Sequence, residues 1–139
     1  MQEIRIMQWD EAKELAYPIR LSVFVHEQGA PEALELDEDD PLAWHAIAFE
    51  DSKAIATGRL MRNGKIGRLA VLKPYRGCGI GSAVLKNMVH YGEQQNIKGF
   101  FLHAQTSASG FYERFGFKPS GSVFNEAGIE HIKMVLESD

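Results

Sequence analysis

The spacing of apolar and polar residues predicts antiparallel strands through most of the first half of the chain. Alternating apolar positions predict a first strand over residues 3–9. Helical spacing then predicts a helix that is capped by Asp10 and kinked or split at Pro18. Three further apolar segments predict strands joined by the turns Asp51-Ser52 and Asn63-Gly64: residues 43–49, 53–61 and 66–71. Successive hairpins of this kind indicate an antiparallel half-sheet.

The second half of the chain predicts a strand–helix–strand crossover. An apolar stripe predicts a helix over residues 82–95, and a strand follows at residues 100–104. Because this connection brings its two strands together in parallel, we expect residues 66–71 and 100–104 to be neighbours. A short helix over residues 107–115 and a hairpin from Phe117 to Leu136 complete the prediction. The expected fold is one α/β domain of the α+β type over residues 1–139, with a mixed, mostly antiparallel sheet and helices on both faces.

Composition and charge exclude several classes of protein. The chain is 45% apolar and 24% charged, which is ordinary for a soluble globular protein. Its net charge of −4 argues against nucleic-acid binding, and no apolar run is long enough to span a membrane. The N-terminal residues lack a signal-peptide pattern and a single cysteine agrees with a reducing compartment, so we expect a cytoplasmic location. Five histidines far apart in sequence predict no metal site.

The most informative segment covers residues 66–82, which read IGRLAVLKPYRGCGIGS. A short apolar strand runs into a glycine-rich turn, and a helical pattern opens at Ser82. Glycines allow backbone N–H groups to converge, and a helix N-terminus adds about half a positive charge. Arg76 adds donors that suit phosphate oxygens. The segment therefore predicts a site for a cofactor that carries a pyrophosphate.

Two well-known nucleotide-binding motifs fit this segment less well. A P-loop needs a lysine after its last glycine, and no lysine follows Gly81. The three glycine positions of the dinucleotide fingerprint are occupied here by Gly77, Gly79 and Ser82. That motif also needs a carboxylate at the end of the next strand, which here ends in Gln105. A nucleotide-dependent oxidoreductase stays open as an alternative.

Two motifs resemble those of the GNAT N-acetyltransferase superfamily. Arg76-x-x-Gly79-x-Gly81 resembles the (Q/R)-x-x-G-x-(G/A) signature that wraps the pyrophosphate of acetyl-coenzyme A in that family. Residues 111–117, FYERFGF, resemble its F-Y-E-x-x-G-F signature near the C-terminus. Residues 24–28, FVHEQ, resemble a small bacterial subgroup more loosely. The resemblance covers essentially the whole chain and implies the GNAT fold, in which the parallel strand pair splays around the cofactor.

The resemblance also implies where acetyl-CoA binds as co-substrate. Backbone groups of Leu69, Ala70 and Val71 are expected to pair with the pantetheine arm as an added strand would, with one amide facing the thioester oxygen. The pyrophosphate is expected on the glycine-rich turn and the first helical turn. These comprise Arg76, Gly77, Cys78, Gly79, Ile80, Gly81 and Ser82.

The implied reaction transfers an acetyl group to a primary amine, on a small molecule or a peptide N-terminus. Tyr112 matches the family tyrosine and is the candidate that protonates the leaving sulfur, a step about 2 kcal/mol uphill for an ordinary phenol and thiol. The base stays open, because the glutamate of many relatives corresponds here to Gly67. His131 is the leading candidate, since the last strand flanks the acceptor side in relatives. The other candidates are His45, His103, Glu27 and Asp37, and a water chain to bulk solvent is a further alternative to any of them.

Two further questions stay open at the level of sequence. A cofactor site without a base would make the chain an acyl-CoA-binding sensor that has no turnover. Residues 32–40, EALELDEDD, carry six carboxylates in nine residues, and they form either a solvated loop or a funnel for a cationic amine. An exposed sheet edge or the C-terminal hairpin could also serve a homodimer.

Overall fold

The computed structural model describes residues 2–32 and 37–137. Its strands are β1 (Gln2–Gln8), β2 (Trp44–Glu50), β3 (Lys53–Leu60), β4 (Lys65–Val71), β5 (Gly99–Gln105), β6 (Lys118–Pro119), β7 (Phe124–Glu126) and β8 (Ile129–Glu137). Its α-helices are α1 (Trp9–Arg20), α2 (Ile80–Gln94) and α3 (Ser109–Phe115). A π-helical segment, Leu21–Glu27, continues α1, and 3₁₀ turns lie at Asp40–Leu42, Lys73–Tyr75 and Thr106–Ala108.

Within the described residues, the strands form one eight-stranded sheet in the order β1-β2-β3-β4-β5-β8-β6, with β7 paired to β8. Every pairing is antiparallel except that of β4 with β5. This topology confirms the predicted mixed sheet and its crossover through α2. In the same part of the chain, every helix is too short or too polar to cross a bilayer.

The two long helices cover opposite faces of the sheet. Ala46 and Ala48 of β2 belong to the large core beneath α2, whereas Ile47 between them packs against Ala12 and Ala16 of α1. Because successive side chains of a strand point to opposite faces, α1 and α2 must lie on different sides of the sheet. Each large apolar side chain that they bury contributes about 1.5–3 kcal/mol.

The first helix differs from its prediction at both ends. It begins at Trp9, with Gln8 rather than Asp10 in the N-cap position, and it runs through Pro18 to Arg20. Pro18 lacks a backbone donor, and the chain widens into the π-helical segment shortly afterwards instead of ending the helix there. Of the two predicted effects of Pro18, a kink or a split, the split was wrong, because the following residues keep helical backbone angles.

The second helix begins at Ile80, two residues before the predicted Ser82. Gly79 precedes it with a φ of 84°, a left-handed conformation that glycine adopts without steric cost. The third helix follows a 3₁₀ turn, Thr106–Ala108, so its α-helical part is shorter than predicted. Both differences concern only the first turn of a helix.

An extra residue in β4 bends this strand. Thr57 of β3 lies opposite Ala70, but Arg59 lies opposite Gly67, so β4 has two residues where β3 has one. Arg68 within this bulge has a φ of +52°, a conformation that costs a non-glycine residue about 1–2 kcal/mol. The bulge turns the rest of β4 away from its parallel neighbour.

The parallel pairing of β4 with β5 is correspondingly short. It covers Lys65 with Phe101 and Ile66 with Leu102, and beyond these positions the two strands diverge. This confirms the predicted splay. The divergence leaves one edge of β4 and one edge of β5 facing a shared cleft, which positions the site described next.

Candidate active site

The glycine-rich turn and the first turn of α2 present a row of backbone donors. Gly77 and Gly79 have φ values of 81° and 84°, and a Cβ built on either would meet no atom within 4 Å. The amide of Ala83 donates to the carbonyl of Gly79 at 3.0 Å and makes the first bond of the helix. The amides before it lack an acceptor within the helix, and they belong to Ile80, Gly81 and Ser82. An open turn with these donors fits a pyrophosphate.

The side chain of Arg76 is directed away from this turn. Its Nη1 and Nη2 donate to Oε2 and Oε1 of Glu27 at 2.9 and 2.7 Å, and its Nε donates to the carbonyl of Val71 at 2.8 Å. Hydrogen bonds from Arg76 hold the pKa of the Glu27 carboxyl below its usual value. Arg76 therefore ties the turn to β4 and to the π-helical segment, and a direct phosphate contact by this side chain stays a prediction. The exposed Cys78 thiol donates to the carbonyl of Tyr75 at 3.0 Å.

The edge of β4 faces the cleft through alternate residues. The amide of Leu72 donates to the carbonyl of Ile55 on β3 at 2.9 Å, and Ala70 belongs to the same ladder. Because backbone groups alternate sides along a strand, Leu69 and Val71 direct theirs toward β5. Of the three predicted pantetheine contacts, Leu69 and Val71 are placed to pair with a ligand in the cleft, while Ala70 faces β3.

A cavity of about 270 Å³ opens where β4 and β5 diverge. It brings together the two predicted catalytic residues, Tyr112 of α3 and His131 of β8, with His103 of β5. At its mouth, Nε2 of Gln105 donates to Oε1 of Gln28 at 2.8 Å and joins the end of β5 to the residues after the π-helical segment. Three segments far apart in sequence therefore meet in one cavity.

His131 has one ring nitrogen fixed and the other near a carboxylate. Its Nδ1 lies 2.7 Å from the carbonyl of Ile129, and because a carbonyl only accepts, Nδ1 carries the proton. In the neutral ring, Nε2 then has the lone pair, and it lies 3.8 Å from Oε2 of Glu126. The other oxygen of Glu126 is 3.0 Å from Nδ1 of His103. A proton taken up at Nε2 of His131 would thus lie beside the Glu126 carboxylate.

Tyr112 is half-buried among aromatic rings. Its ring meets those of Phe111 and Phe117 edge-on, with centroids 5.0 and 6.0 Å apart. Burial raises the pKa of Tyr112 to about 12. An ordinary thiol titrates about 3.5 units lower, so complete proton transfer from Tyr112 to a thiolate would be uphill by roughly 5 kcal/mol. This exceeds the value expected from the sequence and favours a donated hydrogen bond over complete transfer.

Part of the acidic stretch forms a buried ion-pair network. Asp40, 1% exposed, lies 3.1 Å from the buried Arg20 and 3.1 Å from Arg59. Asp37 lies 2.8 Å from Arg59 and 3.1 Å from Arg68. Burial alone would raise the pKa values of both carboxyls, but the arginine hydrogen bonds hold them below the ordinary range. The solvated loop was therefore wrong for the buried Asp40, and the cation funnel stays a prediction.

The remaining residues of the acidic stretch lie outside this network as far as the structure describes them. Glu32 is exposed and accepts a hydrogen bond from the hydroxyl of Tyr17 at 3.0 Å, as a surface loop would allow. Residues 33–36 lie outside the described part of the chain. Fewer of the six carboxylates are therefore available to attract a cationic amine than the sequence alone indicates.

Most of the other base candidates are engaged elsewhere. His45 is fully buried, its Nε2 donates to the carbonyl of Asp40 at 2.9 Å, and burial lowers its pKa. Glu27 is paired with Arg76, as described above, and Asp37 belongs to the ion-pair network. His131 and His103 are the candidates that line the cavity. In the described part of the chain, no group of His, Cys, Asp and Glu is arranged to hold a metal ion.

Sequence reasoning missed three residues of this region. Glu126 lies within the predicted C-terminal hairpin, and no local signal links it to either histidine. Arg59 is a charged residue in a largely apolar predicted strand, which indicates only weakly that it pairs with a buried carboxylate. Arg20 had a clearer signal, because it follows Ala16 at the four-residue spacing of the buried stripe of α1.

Comparison with known proteins assigns the chain to a family. A family model described as an acetyltransferase (GNAT) domain matches residues 9–138. The chain belongs to the GNAT acetyltransferase family. A Bacillus subtilis (strain 168) protein named as an acetyltransferase is 36% identical over 130 residues, which cover 89% of this chain and 88% of that protein.

Solved structures agree with this assignment. The crystal structure of an acyl-CoA N-acyltransferase from Pseudomonas aeruginosa is 26% identical, has a TM-score of 0.88 and covers 97% of this chain and 99% of that one. A more distant structure shares the fold alone, with 14% identity and a TM-score of 0.83 over 100% of this chain and 84% of that one. It is a CoA-dependent acyl-homoserine lactone synthase solved with SAM and isopentyl-CoA. GNAT membership implies an acyl-CoA co-substrate, which the glycine-rich turn and the β4–β5 cleft fit.

Proposed function

We propose that this GNAT protein is an N-acetyltransferase that moves an acetyl group from acetyl-CoA to a primary amine, on a small molecule or a peptide N-terminus. The observation that carries the proposal is the continuity between the β4–β5 cleft and the cavity that holds His131 and Tyr112. Acetyl-CoA supplies the activated thioester. The amides from Gly77 to Ser82 would hold its pyrophosphate, and Leu69 and Val71 its pantetheine arm.

His131 is the proposed base. Nε2 of its neutral ring accepts a proton from the amine, because Nδ1 already donates to the carbonyl of Ile129. Glu126 then faces the resulting imidazolium. The amine nitrogen, once it has a lone pair, forms a bond to the carbonyl carbon. The carbon–sulfur bond then breaks, and the nitrogen releases its second proton to solvent to give the neutral amide. An amide on the free edge of β4, that of Leu69 or Val71, donates to the carbonyl oxygen as negative charge develops there.

Tyr112 is proposed to stabilise the leaving sulfur. Its hydroxyl donates a hydrogen bond to the thiolate and keeps its own proton, because burial raises the pKa of Tyr112 to about 12. The thiolate takes its final proton from solvent. A cytoplasmic location and a homodimer remain predictions from the sequence.

Thiol release from acetyl-CoA with a panel of amines tests the proposal. A blank without amine and mass-spectrometric detection of the acetylated product are needed, because Cys78 also reacts with thiol reagents. We expect amine-dependent release, and we expect His131→Gln to lower kcat by about 10²–10⁴-fold with acetyl-CoA affinity unchanged. His90→Gln, at an exposed position of α2, is the matched control. Tight acetyl-CoA binding without any acetylated product would support the sensor alternative, and no binding would overturn the proposal.

A further inference from the structure

The charged side chains around the cavity are divided between two walls. Strands β3 and β4 contribute a basic wall that consists of Arg59, Lys65 and Arg68. The opposite wall carries His103, Glu126 and His131. A small molecule in the cavity therefore meets positive side chains on one side and the proposed base with its carboxylate on the other.

Arg59 is the fixed part of the basic wall. Its side chain is only 7% exposed, and three contacts to carboxylate oxygens all use Nη1. These oxygens belong to Asp37, at 2.8 and 3.0 Å, and to Asp40, at 3.1 Å. Its buried Nε has no hydrogen-bond partner. A ligand does not reach this buried Nε, but Arg59 lines the cavity, so a ligand carboxylate there would meet the guanidinium from the cavity side.

Lys65 is the more exposed part of the same wall. It precedes Ile66, which is buried in the core beneath α2, so Lys65 and Gly67 lie on the cavity face of β4. Lys65 forms no ion pair with the residues that the structure describes, and the residue is half-exposed. A Cβ built on Gly67 would meet no atom within 4 Å, so the floor beside Lys65 has room for a substrate group.

We infer that the amine acceptor also carries a carboxylate and has about the size of an amino acid. Its carboxylate lies against Arg59 and Lys65, and its amine faces Nε2 of His131. The inference rests on the proposed function, because the orientation of the acceptor follows from the role of His131. A cavity of about 270 Å³ is at the small end of ligand sites, which suits such a molecule. A polyamine would instead bring a second ammonium against the basic wall.

Matched amines test the inference directly. Each free amino acid is compared with its amide and with its decarboxylated amine, for example tyrosine with tyrosinamide and tyramine. We expect kcat/KM for the acid to exceed both others by about tenfold or more, because only the acid makes charge-assisted hydrogen bonds to the wall. Equal or better use of tyramine and similar amines would overturn the inference while leaving the transferase itself intact.

Substitutions in the basic wall sharpen the test. Lys65→Met should reduce the preference for the acid mainly through KM, whereas Lys98→Met, at an exposed position outside the cavity, should change nothing. Gly67→Asp places a carboxylate on the floor and should reverse the preference toward uncharged or cationic amines. Gly67→Asn has nearly the same shape without the charge and should keep the preference. If Gly67→Asp and Gly67→Asn behave alike, charge does not select the acceptor and the inference fails.

A binding measurement separates this inference from the proposed function. Thermal unfolding is followed with an N-acetyl amino acid, which resembles the product, and with its neutral amide. A rise in Tm with the acid alone, lost in Lys65→Met, supports the carboxylate site even if no amine is acetylated. Equal shifts with the acid and the amide, or no shift with either, contradict it.

Discussion

The two ends of the proposed site are built from different kinds of chemical group. At the proposed cofactor end, the groups available to a ligand are backbone amides of the glycine-rich turn, of the first turn of α2 and of the β4 edge. At the acceptor end, they are side chains from β3, β4, β5, β7 and β8, and a buried ion-pair network supports the basic ones. A backbone site tolerates changes of side chain, whereas a side-chain site changes its ligand with each substitution. The difference suits a family that keeps its acyl-CoA donor while acceptors vary.

The two ends also differ in how their charges are held. The helix N-terminus contributes partial charges that need no partner and do not titrate. The acceptor end depends on full charges with several partners each, and Arg20, Asp40 and Arg59 are nearly inaccessible to solvent. The acceptor end should therefore be the more sensitive of the two to substitution and pH.

The largest effect is expected from Asp40→Asn. This change keeps the shape of the side chain but leaves the buried Arg20 without its carboxylate, which should cost about 3–5 kcal/mol of unfolding free energy. Chemical denaturation measures the loss. Glu3→Gln, which breaks the exposed pair of Glu3 with Arg5, is the control and should cost less than about 1 kcal/mol. Equal effects of the two changes would show that the network does not support the acceptor end.

The dependence of the unfolding free energy on pH tests the same substitution independently. The pKa of Asp40 lies below its unfolded value, so its stabilisation is complete above that value and is lost as the pH falls through the lower, folded one. The wild type should therefore lose stability below about pH 4, and Asp40→Asn should lose less over the same range. A parallel acid loss in both proteins would contradict the ion-pair assignment.

Tyr112→Phe tests the point where the two ends meet. It removes the hydroxyl that we place beside the leaving sulfur, so kcat should fall by about 10²-fold or more with acetyl-CoA affinity unchanged. Tyr91→Phe is the control, because Tyr91 packs on Trp44 away from the cavity. An unchanged kcat would assign Tyr112 to packing alone.

The same variant checks the ionisation of this tyrosine. Burial raises the pKa of Tyr112 to about 12, above the usual value near 10. The neutral side chain is therefore favoured in the folded state, and this stabilisation is present below pH 10 and lost as the pH rises through about 12. Titration of tyrosinate absorbance should show a late component that Tyr112→Phe lacks. Its persistence in the variant would assign the late titration to another tyrosine.

Gly79→Ala is expected to have a smaller effect that is confined to the cofactor end. A side chain at a φ of 84° should cost about 1–2 kcal/mol and distort the row of amides. Gly121 has nearly the same φ, 85°, and the same open surroundings, so Gly121→Ala controls for backbone strain. Both variants should lose similar stability, but only Gly79→Ala should weaken acetyl-CoA binding, measured by calorimetry. Equal binding by both would place the pyrophosphate elsewhere.

The smallest effect concerns the pair of Arg76 with Glu27, which is partly exposed. If Arg76 acts by tying the turn to its neighbours, Arg76→Gln and Glu27→Gln should weaken acetyl-CoA binding alike, by at most about fivefold, which corresponds to about 1 kcal/mol. A loss in Arg76→Gln alone would show that the guanidinium leaves Glu27 to bind phosphate. The comparison of dissociation constants decides whether any side chain adds to the backbone site.

Local patterns made the fold and the cofactor end predictable. A glycine-rich turn between a strand and a helix dictates converging amides whatever surrounds it, so Gly77 to Ser82 could be placed from neighbouring residues alone. The parallel pair of β4 and β5 also followed from the order of elements. The direction of the Arg76 side chain did not, because its partner Glu27 lies 49 residues away in the chain. The bulge at Arg68 also had no signal in the apolar pattern.

What the sequence determined by itself was thus what depends on near neighbours: the strands and helices, their order and the glycine-rich turn before α2. Tertiary structure alone decided what the charged residues do. From the sequence alone, the acidic stretch indicates a surface that attracts cations. In the structure, the carboxylates of Asp37 and Asp40 form ion pairs with arginines of α1, β3 and β4. Glu126 comes to His131 and His103 only because β7 and β5 both pair with β8. Charges act over short distances through space, and the sequence does not contain those distances.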